Sequence, residues 1–369
     1  MPKPLRIGYV LDDTLDTPDG VQQYVLTIGE WMRSQGNVVH YLVGQTVRQD
    51  IQNVHSLARN VKVSFNQNRL SVPLPANKKR LQAIMDELAL DVIHVQMPYS
   101  PLFAGRLIQC TPPQTRIVGT FHIVPATWLE RSGARTLQMM SRSTLKKFDT
   151  IVSVSTAAQR FCQTVFGMES LVIPNAVALR NYRRKPIIDQ KSVHIVFLGR
   201  LVERKGCIWL LKALKILQEL PPRTPYHVTI AGKGALLQQL KKYVADSALT
   251  KIRFIGFVDE VDKPNLLASA DIAVFPSTGG ESFGIVLIEA MAAGSRVVIG
   301  GNNVGYSSVL GEKPELLFDP RQSADFAEKL RQYIDDPAAR TVTALWNKTT
   351  VERYDVAVVG KELQCLYKK

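Results

Sequence analysis

Cysteine is scarce in this sequence, and no two cysteines are closely spaced. Four cysteines occur in 369 residues without a CxxC pair, so the pattern predicts neither a disulfide framework nor a zinc site and is typical of reduced thiols. Long apolar runs are also missing, because no stretch approaches the roughly 18 unbroken apolar residues that a membrane-spanning helix requires. The first segment, MPKPLRIGYVLDD, becomes charged too soon for a signal peptide. We therefore expect a cytoplasmic protein.

Common nucleotide-binding motifs are missing as well. The sequence contains neither the dinucleotide fingerprint GxGxxG nor the phosphate loop GxxxxGKS/T, which argues against an NAD enzyme and a P-loop NTPase. Basic residues, in contrast, are abundant: 46 lysines and arginines against 32 aspartates and glutamates give a net charge of +14. This excess favours a polyanionic partner or an anionic lipid surface. No basic stripe interleaved with aromatic residues indicates nucleic acid.

Short β-branched runs alternate with longer amphipathic segments along the whole chain. This alternation predicts an α/β protein built from βα units around parallel sheets. The predicted strands of the first half are LRIGYVL, VVHYLVG, DVIHVQ, TRIVGTF, DTIVSVS and SLVIP, and those of the second half are VHIVFLG, YHVTIAG, IRFIGF, DIAVFPS and SRVVIGG. Two open sheets in two domains are therefore expected.

The two predicted domains meet at a polar, basic segment, NAVALRNYRRKPIIDQKS. It lacks helical or alternating periodicity, which predicts a linker near residues 178–192. We place the domains at 1–178 and 190–352. Because open parallel sheets bind ligands at the carboxyl ends of their strands, the ligand site is expected in the cleft between the domains.

Glycines between a strand and a helix mark places where backbone N–H groups could approach an anion. The sequence has three: Gly20 in TPDGV, Gly232 in AGKG with its neighbour Lys233, and Gly284 in TGGESFG. Each one alone is as consistent with a tight structural turn as with a ligand. A loop rich in cations, FLGRLVERKG, follows another predicted strand, and its position favours phosphate binding over a solvated basic loop.

The segments FLGRLVERKG, IPNAV and GGESFGIVLIEAMAAG together resemble the family 4 retaining glycosyltransferases, which have the GT-B fold. The resemblance covers nearly the whole chain, and Glu281 and Glu289 match the E-x7-E motif of that family. It implies two Rossmann-like domains with parallel sheets that face each other across a cleft. The first is the acceptor-side domain, on which a C-terminal helix of about residues 353–369 packs, and the second binds the nucleotide sugar.

The resemblance also implies roles for individual residues. Glu281 would contact hydroxyls of the donor sugar, and Glu289 would accept two hydrogen bonds from the ribose diol. The alternative is that Glu281 is only a helix N-terminal carboxylate and Glu289 a solvated side chain. Backbone N–H groups of Phe283, Gly284, Ile285 and Val286 would face the diphosphate, Arg200 and Lys205 would stabilise its developing charge, and His122 in GTFH would lie near the sugar.

No pair of aspartates for Mg²⁺ stands at a suitable strand end, and the resemblance implies a metal-independent enzyme without a cofactor. No carboxylate stands out as a covalent nucleophile. The family is described by a front-face mechanism in which the leaving phosphate helps to deprotonate the acceptor. The sequence leaves the choice between this mechanism and double displacement open.

A predicted helix in ANKKRLQAIMDEL carries Lys78, Lys79 and Arg80 in its first turn. Cations there oppose the helix dipole, and such local conflicts cluster at functional surfaces. One interpretation is docking on an anionic membrane at the inner face of the plasma membrane, and the alternative is a solvated helix face.

The segments RIGYV, TPDGVQQYV, GTFH and RYD further resemble the bacterial phosphatidylinositol mannosyltransferases. This implies transfer of mannose from GDP-mannose to a lipid such as phosphatidylinositol. The alternatives are a UDP-sugar donor with a soluble or glycan acceptor, and a nucleotide-sugar-binding protein without catalysis. Three positions depart from the relatives: Asp19 stands where they have glycine, Ala176 replaces a glycine, and HVQMPYSP differs from His-x-His-x-x-Pro.

Overall fold

The chain forms two compact units, which we call unit 1 and unit 2. The computed structural model describes residues 3–17, 19–65, 68–123, 128–184 and 191–368. Unit 1 comprises Met1–Ala176 and Val356–Lys369, and unit 2 comprises Val177–Asp355. The C-terminal segment therefore belongs to the same unit as the N-terminal half. Of the segment predicted as a linker, residues 185–190 lie outside the described residues, and Leu179–Tyr182 forms a short helix in unit 2.

Unit 1 is built around a seven-stranded sheet in which every pair of neighbouring strands is parallel. Its order is β3-β2-β1-β6-β7-β8-β9. A separate antiparallel hairpin consists of β4 and β5. The strands are β1 (Arg6–Leu11), β2 (Val38–Val43), β3 (Val54–Ser56), β4 (Asn60–Phe65), β5 (Asn68–Pro73), β6 (Val92–Gln96), β7 (Arg116–Phe121), β8 (Thr150–Ser153) and β9 (Leu171–Val172).

The helices of unit 1 cover this sheet and bury its apolar residues. They are α1 (Gly20–Ser34), α2 (Lys78–Leu88), α3 (Phe103–Cys110), α4 (Trp128–Leu145), α5 (Thr156–Phe161), which continues into a π-helical turn at Cys162–Phe166, and the last helix, α14 (Val356–Lys368). Helix α3 packs against both α2 and α4, and α14 packs against α1. Tyr24, Ile28, Trp31 and Met32 form the buried face of α1.

Unit 2 contains a six-stranded parallel sheet in the order β12-β11-β10-β13-β14-β15. The strands are β10 (Val193–Leu198), β11 (Tyr226–Ala231), β12 (Ile252–Gly256), β13 (Ile272–Phe275), β14 (Val297–Gly301) and β15 (Leu317–Phe318). The strand order reverses between β10 and β13, because β11 lies on the far side of β10. In open parallel sheets, ligands bind at the carboxyl end of such a reversal.

Eight helices occur in the described part of unit 2: α6 (Leu179–Tyr182), α7 (Cys207–Glu219), α8 (Leu237–Asp246), α9 (Lys263–Ala268), α10 (Ile285–Ala293), α11 (Ser307–Leu310), α12 (Ser323–Asp335) and α13 (Pro337–Val351). Short 3-10 turns lie at Glu203–Lys205, Pro314–Leu316 and Glu352–Tyr354. Helix α10 is apolar over almost its whole length and is buried from Leu287 onward.

The predicted α/β class is confirmed, and every strand predicted from the sequence is present in one of the two parallel sheets. The structure adds four strands that the sequence analysis did not predict, β3, β4, β5 and β15. Two of them are only two or three residues long, and the other two form the hairpin outside the main sheet. Within the described ranges, no helix combines the length and the apolar character needed to cross a membrane.

Candidate active site

The candidate site of unit 2 lies on two loops that follow the neighbouring strands β10 and β13. The parallel pairing of these strands, with Ile195 beside Ile272, brings their carboxyl ends to the same edge of the sheet. The first loop carries Arg200 and the 3-10 turn Glu203–Lys205, and the second carries Glu281 before α10 begins. Two motifs about 80 residues apart in sequence are thereby brought together.

Glu281 is the centre of a cluster of charged and polar groups. Its Oε1 atom lies 2.8 Å from Lys205 Nζ and 2.8 Å from Arg204 Nη1. The hydroxyl of Ser277 donates a hydrogen bond to the same oxygen at 2.8 Å. The side chains of Glu281 and Lys205 are only 12% and 19% exposed. Glu281 is therefore a fixed counter-ion of the basic loop and not a helix N-terminal carboxylate alone.

The charges of this cluster shift one another's pKa values. Burial by itself would raise the pKa of Glu281, but Lys205 and Arg204 hold it below its ordinary value. Burial lowers the pKa of Lys205, Glu281 opposes that change, and the nearby charges of Arg204 and Arg200 add to it. Glu281 is consequently ionised at neutral pH, beside several cations that would attract a further anion.

The basic loop is held to the second loop by its backbone. The N–H of Thr278 donates to the carbonyl oxygen of Arg204 at 2.8 Å, and the hydroxyl oxygen of Ser277 lies 3.0 Å from the same oxygen. Gly206, with φ +72°, follows the turn, and a Cβ atom there would lie 1.9 Å from the carbonyl oxygen of Pro276. Only glycine permits this close approach of the two loops.

Glu289 occupies a second cluster on α10. It is 6% exposed, so the alternative of a solvated side chain is wrong. Tyr182 donates its hydroxyl hydrogen to Glu289 Oε1 at 2.7 Å, and Lys263 Nζ lies 2.7 Å from the same oxygen. Lys263 also lies 2.7 Å from Glu260 Oε2. One lysine thus bridges two carboxylates, and the contacts of Tyr182 and Lys263 with Glu289 both end on the same carboxylate oxygen.

The pKa values in the second cluster follow from burial and from this bridging. Burial would lower the pKa of Lys263, but Glu289 and Glu260 outweigh it and raise that pKa. Burial raises the pKa of Glu260, as do the charges of Glu289 and Asp259, while Lys263 opposes the rise. Burial and then Glu289 raise the pKa of Tyr182. Tyr182 is therefore a neutral hydrogen-bond donor at any working pH.

The first turn of α10 follows a glycine in a left-handed conformation. Gly284 has φ +107°, and a Cβ atom there would lie 2.7 Å from the ring of Tyr306. The helix begins at Ile285, so the N–H groups of Ile285 and Val286 belong to its free N-terminal turn. Phe283 is 2% exposed and packs against Tyr354. Diphosphate binding by the N–H groups of residues 283–286 stays a prediction.

Gly232 and Lys233 lie beside the same basic loop. They follow β11, and the N–H of Leu201 donates to the carbonyl oxygen of Lys233 at 2.9 Å. A Cβ atom at Gly232 would lie 1.9 Å from the carbonyl oxygen of Gly199. The segment AGKG is therefore packed directly against the backbone that flanks Arg200, at the edge of the sheet that carries Glu281.

His122 lies in unit 1, after β7, and is 5% exposed. Its Nε2 donates to Gln96 Oε1 at 2.7 Å, and the Gln96 amide donates to the carbonyl oxygen of His94. Burial lowers the pKa of His122 to about 3. The imidazole is therefore neutral, and its role beside a donor sugar stays a prediction.

Gly20 is the first residue of α1 and is exposed. Asp19 occupies the N-cap position with an extended backbone, but its side chain makes no capping hydrogen bond. Helix α1 also passes close to His122, because the ring of Tyr24 contacts the imidazole edge-on with centroids 5.0 Å apart. The two predicted site residues of this part of unit 1 thus lie on adjoining elements.

Lys78, Lys79 and Arg80 form the exposed first turn of α2, as predicted. Asn77 caps this turn, since its Oδ1 accepts hydrogen bonds from the N–H groups of Lys79 and Arg80 at 2.9 and 3.4 Å. Leu81, Met85 and Leu88 are buried on the inner face. The amide cap satisfies backbone donors that the cations cannot, because a cation offers no acceptor.

Several contacts of the site were not found by sequence reasoning. Tyr182 stands in the segment interpreted as a linker, and it is 107 residues away from Glu289 in sequence. Lys263 and Glu260 follow β12, and a pair of opposite charges after a strand is the only signal that could have indicated them. Among the residues that the structure describes, no group of three histidines, cysteines or carboxylates is placed to hold a metal ion.

Two family models match the chain in succession. Residues 18–181 match the model described as Glycosyltransferase Family 4, and residues 180–345 match the model described as Glycosyl transferases group 1. The two matches meet at residues 180–181, close to the boundary between unit 1 and unit 2.

Relatives of known function are similar over nearly the whole chain. The phosphatidyl-myo-inositol mannosyltransferase of Mycolicibacterium smegmatis is 30% identical over 98% of this chain and 93% of its own length. The enzyme of the same name from Mycobacterium tuberculosis is 30% identical over 98% of this chain and 96% of its own length. The enzyme of the same name from Propionibacterium freudenreichii is 28% identical over 98% of this chain and 94% of its own length.

Solved structures share the fold at lower sequence identity. The structure of Anabaena Alr3699/HepE in complex with UDP and glucose matches with a TM-score of 0.77 and 17% identity, over 98% of this chain and 99% of that one. Sucrose-phosphate synthase from Thermosynechococcus elongatus matches with a TM-score of 0.75 and 18% identity, over 98% of both chains. The predicted arrangement of two Rossmann-like halves is thereby confirmed.

Proposed function

The chain belongs to glycosyltransferase family 4, whose members have the GT-B fold, and from this premise we propose that it transfers a hexose from a nucleotide sugar to a lipid acceptor. The observation that carries the proposal is the cluster of Glu281, Lys205 and Arg204 at the strand reversal of unit 2. Intact charged residues at this point favour a working enzyme over a protein that only binds nucleotide sugars.

The donor that we propose is GDP-mannose, and the acceptor is phosphatidylinositol or a similar lipid. The names of relatives that match over nearly the full chain, phosphatidyl-myo-inositol mannosyltransferases, support mannose as the sugar and phosphatidylinositol as the acceptor. A UDP-sugar is the alternative donor, with a soluble or glycan acceptor. We propose further that the protein works at an anionic membrane at the inner face of the plasma membrane, with Lys78, Lys79 and Arg80 of α2 in contact with lipid headgroups.

In the proposed reaction, negative charge builds on the leaving diphosphate as the glycosidic bond breaks. Arg200 and Lys205 would stabilise that charge, together with the backbone N–H groups of Phe283, Gly284, Ile285 and Val286 around the start of α10. Glu281 fixes Lys205 and Arg204 in place before the donor arrives, so little reorganisation remains for the reaction. The configuration at the anomeric carbon would be retained, as implied by the family.

Glu289 is proposed to bind the ribose diol. Tyr182 and Lys263 both contact Oε1, and together they fix the orientation of the carboxylate. A carboxylate held in this way can accept hydrogen bonds from two vicinal hydroxyls with good geometry. Gly232 and Lys233 would complete the nucleotide side of the site, beside the backbone of Arg200.

The test is transfer to detergent-solubilised phosphatidylinositol with GDP-mannose or UDP-glucose as donor, read as mannosylated or glucosylated lipid by mass spectrometry. Product with GDP-mannose is expected. Product with UDP-glucose alone would overturn the donor assignment, and donor consumption without lipid product would overturn the acceptor. If the protein binds the nucleotide but turns over neither donor, the alternative of a nucleotide-sugar-binding protein without catalysis would be favoured.

The charge-stabilising role has its own test. Replacing Lys205 by Met should lower kcat by about 10²–10³, because a fixed positive charge at the proposed leaving group is lost. Lys215→Ala, an exposed lysine on α7 of the same unit, is the matched control and should leave kcat unchanged. We also propose that no metal ion is required, so turnover should persist in EDTA. Loss of turnover in EDTA would overturn the assignment of charge stabilisation to Arg200 and Lys205.

A further inference from the structure

The outer face of helix α4 exposes two adjacent methionines. Met139 is 76% exposed and Met140 is 60% exposed. The opposite face is anchored in unit 1: Ser141, Thr144 and Leu145 are buried, and the Ser141 hydroxyl donates to the carbonyl oxygen of Tyr99 at 2.6 Å. The two methionines therefore project from a helix whose position is fixed by its inner face. Large apolar side chains that are exposed next to each other mark interaction surfaces more often than isolated ones do.

Cations follow the methionines in the last turn of α4 and in the two residues after its end. Arg142, Lys146 and Lys147 are all exposed. Since residues three apart share one face of a helix, Arg142 lies on the side of Met139. Lys146 and Lys147 come directly after Leu145, where the helix ends. The sequence contains no aspartate or glutamate from Thr136 to Lys147. We call Met139, Met140, Arg142, Lys146 and Lys147 the α4 face.

The α4 face and the basic first turn of α2 both approach the end of α3. Lys147 Nζ donates to the carbonyl oxygen of Ile108 in α3 at 3.3 Å. The Sγ atom of Cys110, at the end of the same helix, lies 3.9 Å from the carbonyl oxygen of Lys78. Burial raises the pKa of the Cys110 thiol, and the charges of Lys78 and Lys147 both oppose that rise. Both ammonium groups are therefore near the end of α3.

An apolar pair beside clustered cations fits an anionic bilayer better than a second copy of this chain. Interfacial helices bury apolar side chains at the boundary between headgroups and acyl chains while lysine and arginine remain among the headgroups. A symmetric dimer through the α4 face would place the same cations opposite one another, which opposes association. Methionine is flexible and polarisable, so it suits a disordered lipid environment.

We propose that the α4 face inserts into anionic membranes, with Met139 and Met140 below the headgroups and the three cations among them, beside the basic turn of α2. This inference rests on the proposed function, because it adds an apolar anchor to the membrane contact proposed there. It predicts that attachment has an apolar component that salt does not remove, in addition to a salt-sensitive one.

The experiment is sedimentation of the full chain with vesicles of phosphatidylcholine and phosphatidylglycerol, at low and at moderate salt. Met139→Ser/Met140→Ser should weaken partitioning by at least about tenfold at both salt concentrations, because apolar burial is lost. Arg142→Ser/Lys146→Ser should weaken it by about fivefold for each cation at low salt, and less at moderate salt. Lys147 is left intact because it contacts Ile108.

Matched controls come from unit 2. Val342 and Leu345 on α13 are 61% and 67% exposed, so Val342→Ser/Leu345→Ser removes a comparable exposed apolar pair. Lys241→Ser/Lys242→Ser removes two exposed cations from α8. Both controls should partition like the unchanged protein. Equal losses in the controls and in the α4 variants, or undiminished partitioning of the methionine variant, would overturn the proposal.

A fluorescence measurement locates the residues directly. Met140→Cys, in a Cys365→Ser background and labelled with an environment-sensitive dye, should shift to shorter wavelength when anionic vesicles are added, and Val342→Cys should not. A shift that appears without lipid and grows with protein concentration would indicate self-association and would overturn the lipid assignment.

Activity separates this inference from the proposed function. The methionine variant should keep full turnover on phosphatidylinositol in detergent and lose turnover on the same lipid in vesicles. Absence of lipid product in detergent for the unchanged protein counts against the proposed function, while vesicle sedimentation still decides the inference about α4.

Discussion

At the scale of single residues, the hydroxyl of Tyr182 has the sharpest testable role. It donates to Glu289 Oε1, which Lys263 also contacts, and Tyr182→Phe removes this hydrogen bond while leaving the ring in place. Loss of a hydrogen bond to a charged group costs about 1.5–3 kcal/mol. If Glu289 binds the ribose, we expect KM for the nucleotide sugar to rise by about tenfold or more with a smaller change in kcat, measured by steady-state kinetics.

A buried tyrosine elsewhere in unit 2 provides the comparison. Tyr333→Phe removes a hydroxyl from α12, where Tyr333 is 3% exposed, and should affect stability without affecting KM. An equal rise in KM for both variants would show that the effect is a general loss of stability of unit 2. The position of Glu289 would then not depend on Tyr182 in particular.

The ionisation of Asp12 should make the free energy of unfolding depend on pH. Asp12 directly follows β1, and its side chain is buried. Its carboxylate accepts a hydrogen bond from the N–H of Ala104 at 2.8 Å and contacts the Ser100 hydroxyl. Burial raises its pKa from 3.8 to about 6. The folded state therefore holds the proton more tightly than the unfolded state, and this stabilising contribution is present below pH 4 and is lost as pH rises through 6.

From these two pKa values, the contribution of Asp12 falls by roughly 1.4 kcal/mol between pH 5 and pH 8. Asp12→Asn should reduce the difference in unfolding free energy between these pH values by about that amount, because the amide keeps the shape and does not ionise. Urea unfolding at both pH values measures it. Asp13→Asn, at the neighbouring position, is the comparison, and an unchanged pH difference in Asp12→Asn would show that the carboxylate is already solvated.

At the scale of elements, the start of α10 depends on the backbone of Gly284. Gly284→Ala must adopt φ +107° and place its Cβ 2.7 Å from the ring of Tyr306. Left-handed strain and overpacking together should cost about 2–4 kcal/mol of stability and displace the first turn of α10. We expect a large loss of transferase activity even at temperatures where the variant is folded, as judged by circular dichroism.

A substitution at Gly256 separates the effect of left-handed backbone strain from the effect of overpacking. Gly256 also has a positive φ of +77°, but no atom lies within 4 Å of the position of its Cβ. Gly256→Ala should therefore cost only the strain, about 1–2 kcal/mol, and leave activity intact. Equal activity in the two variants would mean that the geometry of the α10 turn does not matter for turnover.

The elements also show what can be predicted from sequence. Strands such as β6 and β13 are buried on both faces, so their residues form short apolar runs that a sequence displays directly. Strands β3 and β15 are two or three residues long and carry too little pattern. The two loops that carry Lys205 and Glu281 were predictable from their motifs. The contact of Tyr182 with Glu289 depends on tertiary packing across 107 residues, which no local pattern encodes.

At the scale of the whole molecule, each unit has its own sheet and core, and unit 1 is completed by the last helix of the chain. Gly360 of α14 lies against Trp31 of α1, so close that a Cβ atom would lie 2.4 Å from the indole ring. Tyr367 of the same helix is buried, and its hydroxyl oxygen lies 2.6 Å from His94 Nδ1. The stability of unit 1 should therefore depend on residues at the far end of the sequence.

Replacing Gly360 by Leu should force α14 away from Trp31. Overpacking of this kind typically costs about 1–3 kcal/mol, which exceeds the helix propensity gained by removing glycine. Because Gly360 and Trp31 both belong to unit 1, differential scanning calorimetry should show the melting of unit 1 at a lower temperature while the transition of unit 2 stays in place. Gly311 lies in unit 2, and a Cβ atom there would lie 2.4 Å from the carbonyl oxygen of Ser307. Gly311→Leu should therefore lower the melting temperature of unit 2 and leave the transition of unit 1 in place. A single transition that moves as one in both variants would show that the two units unfold together, despite their separate cores.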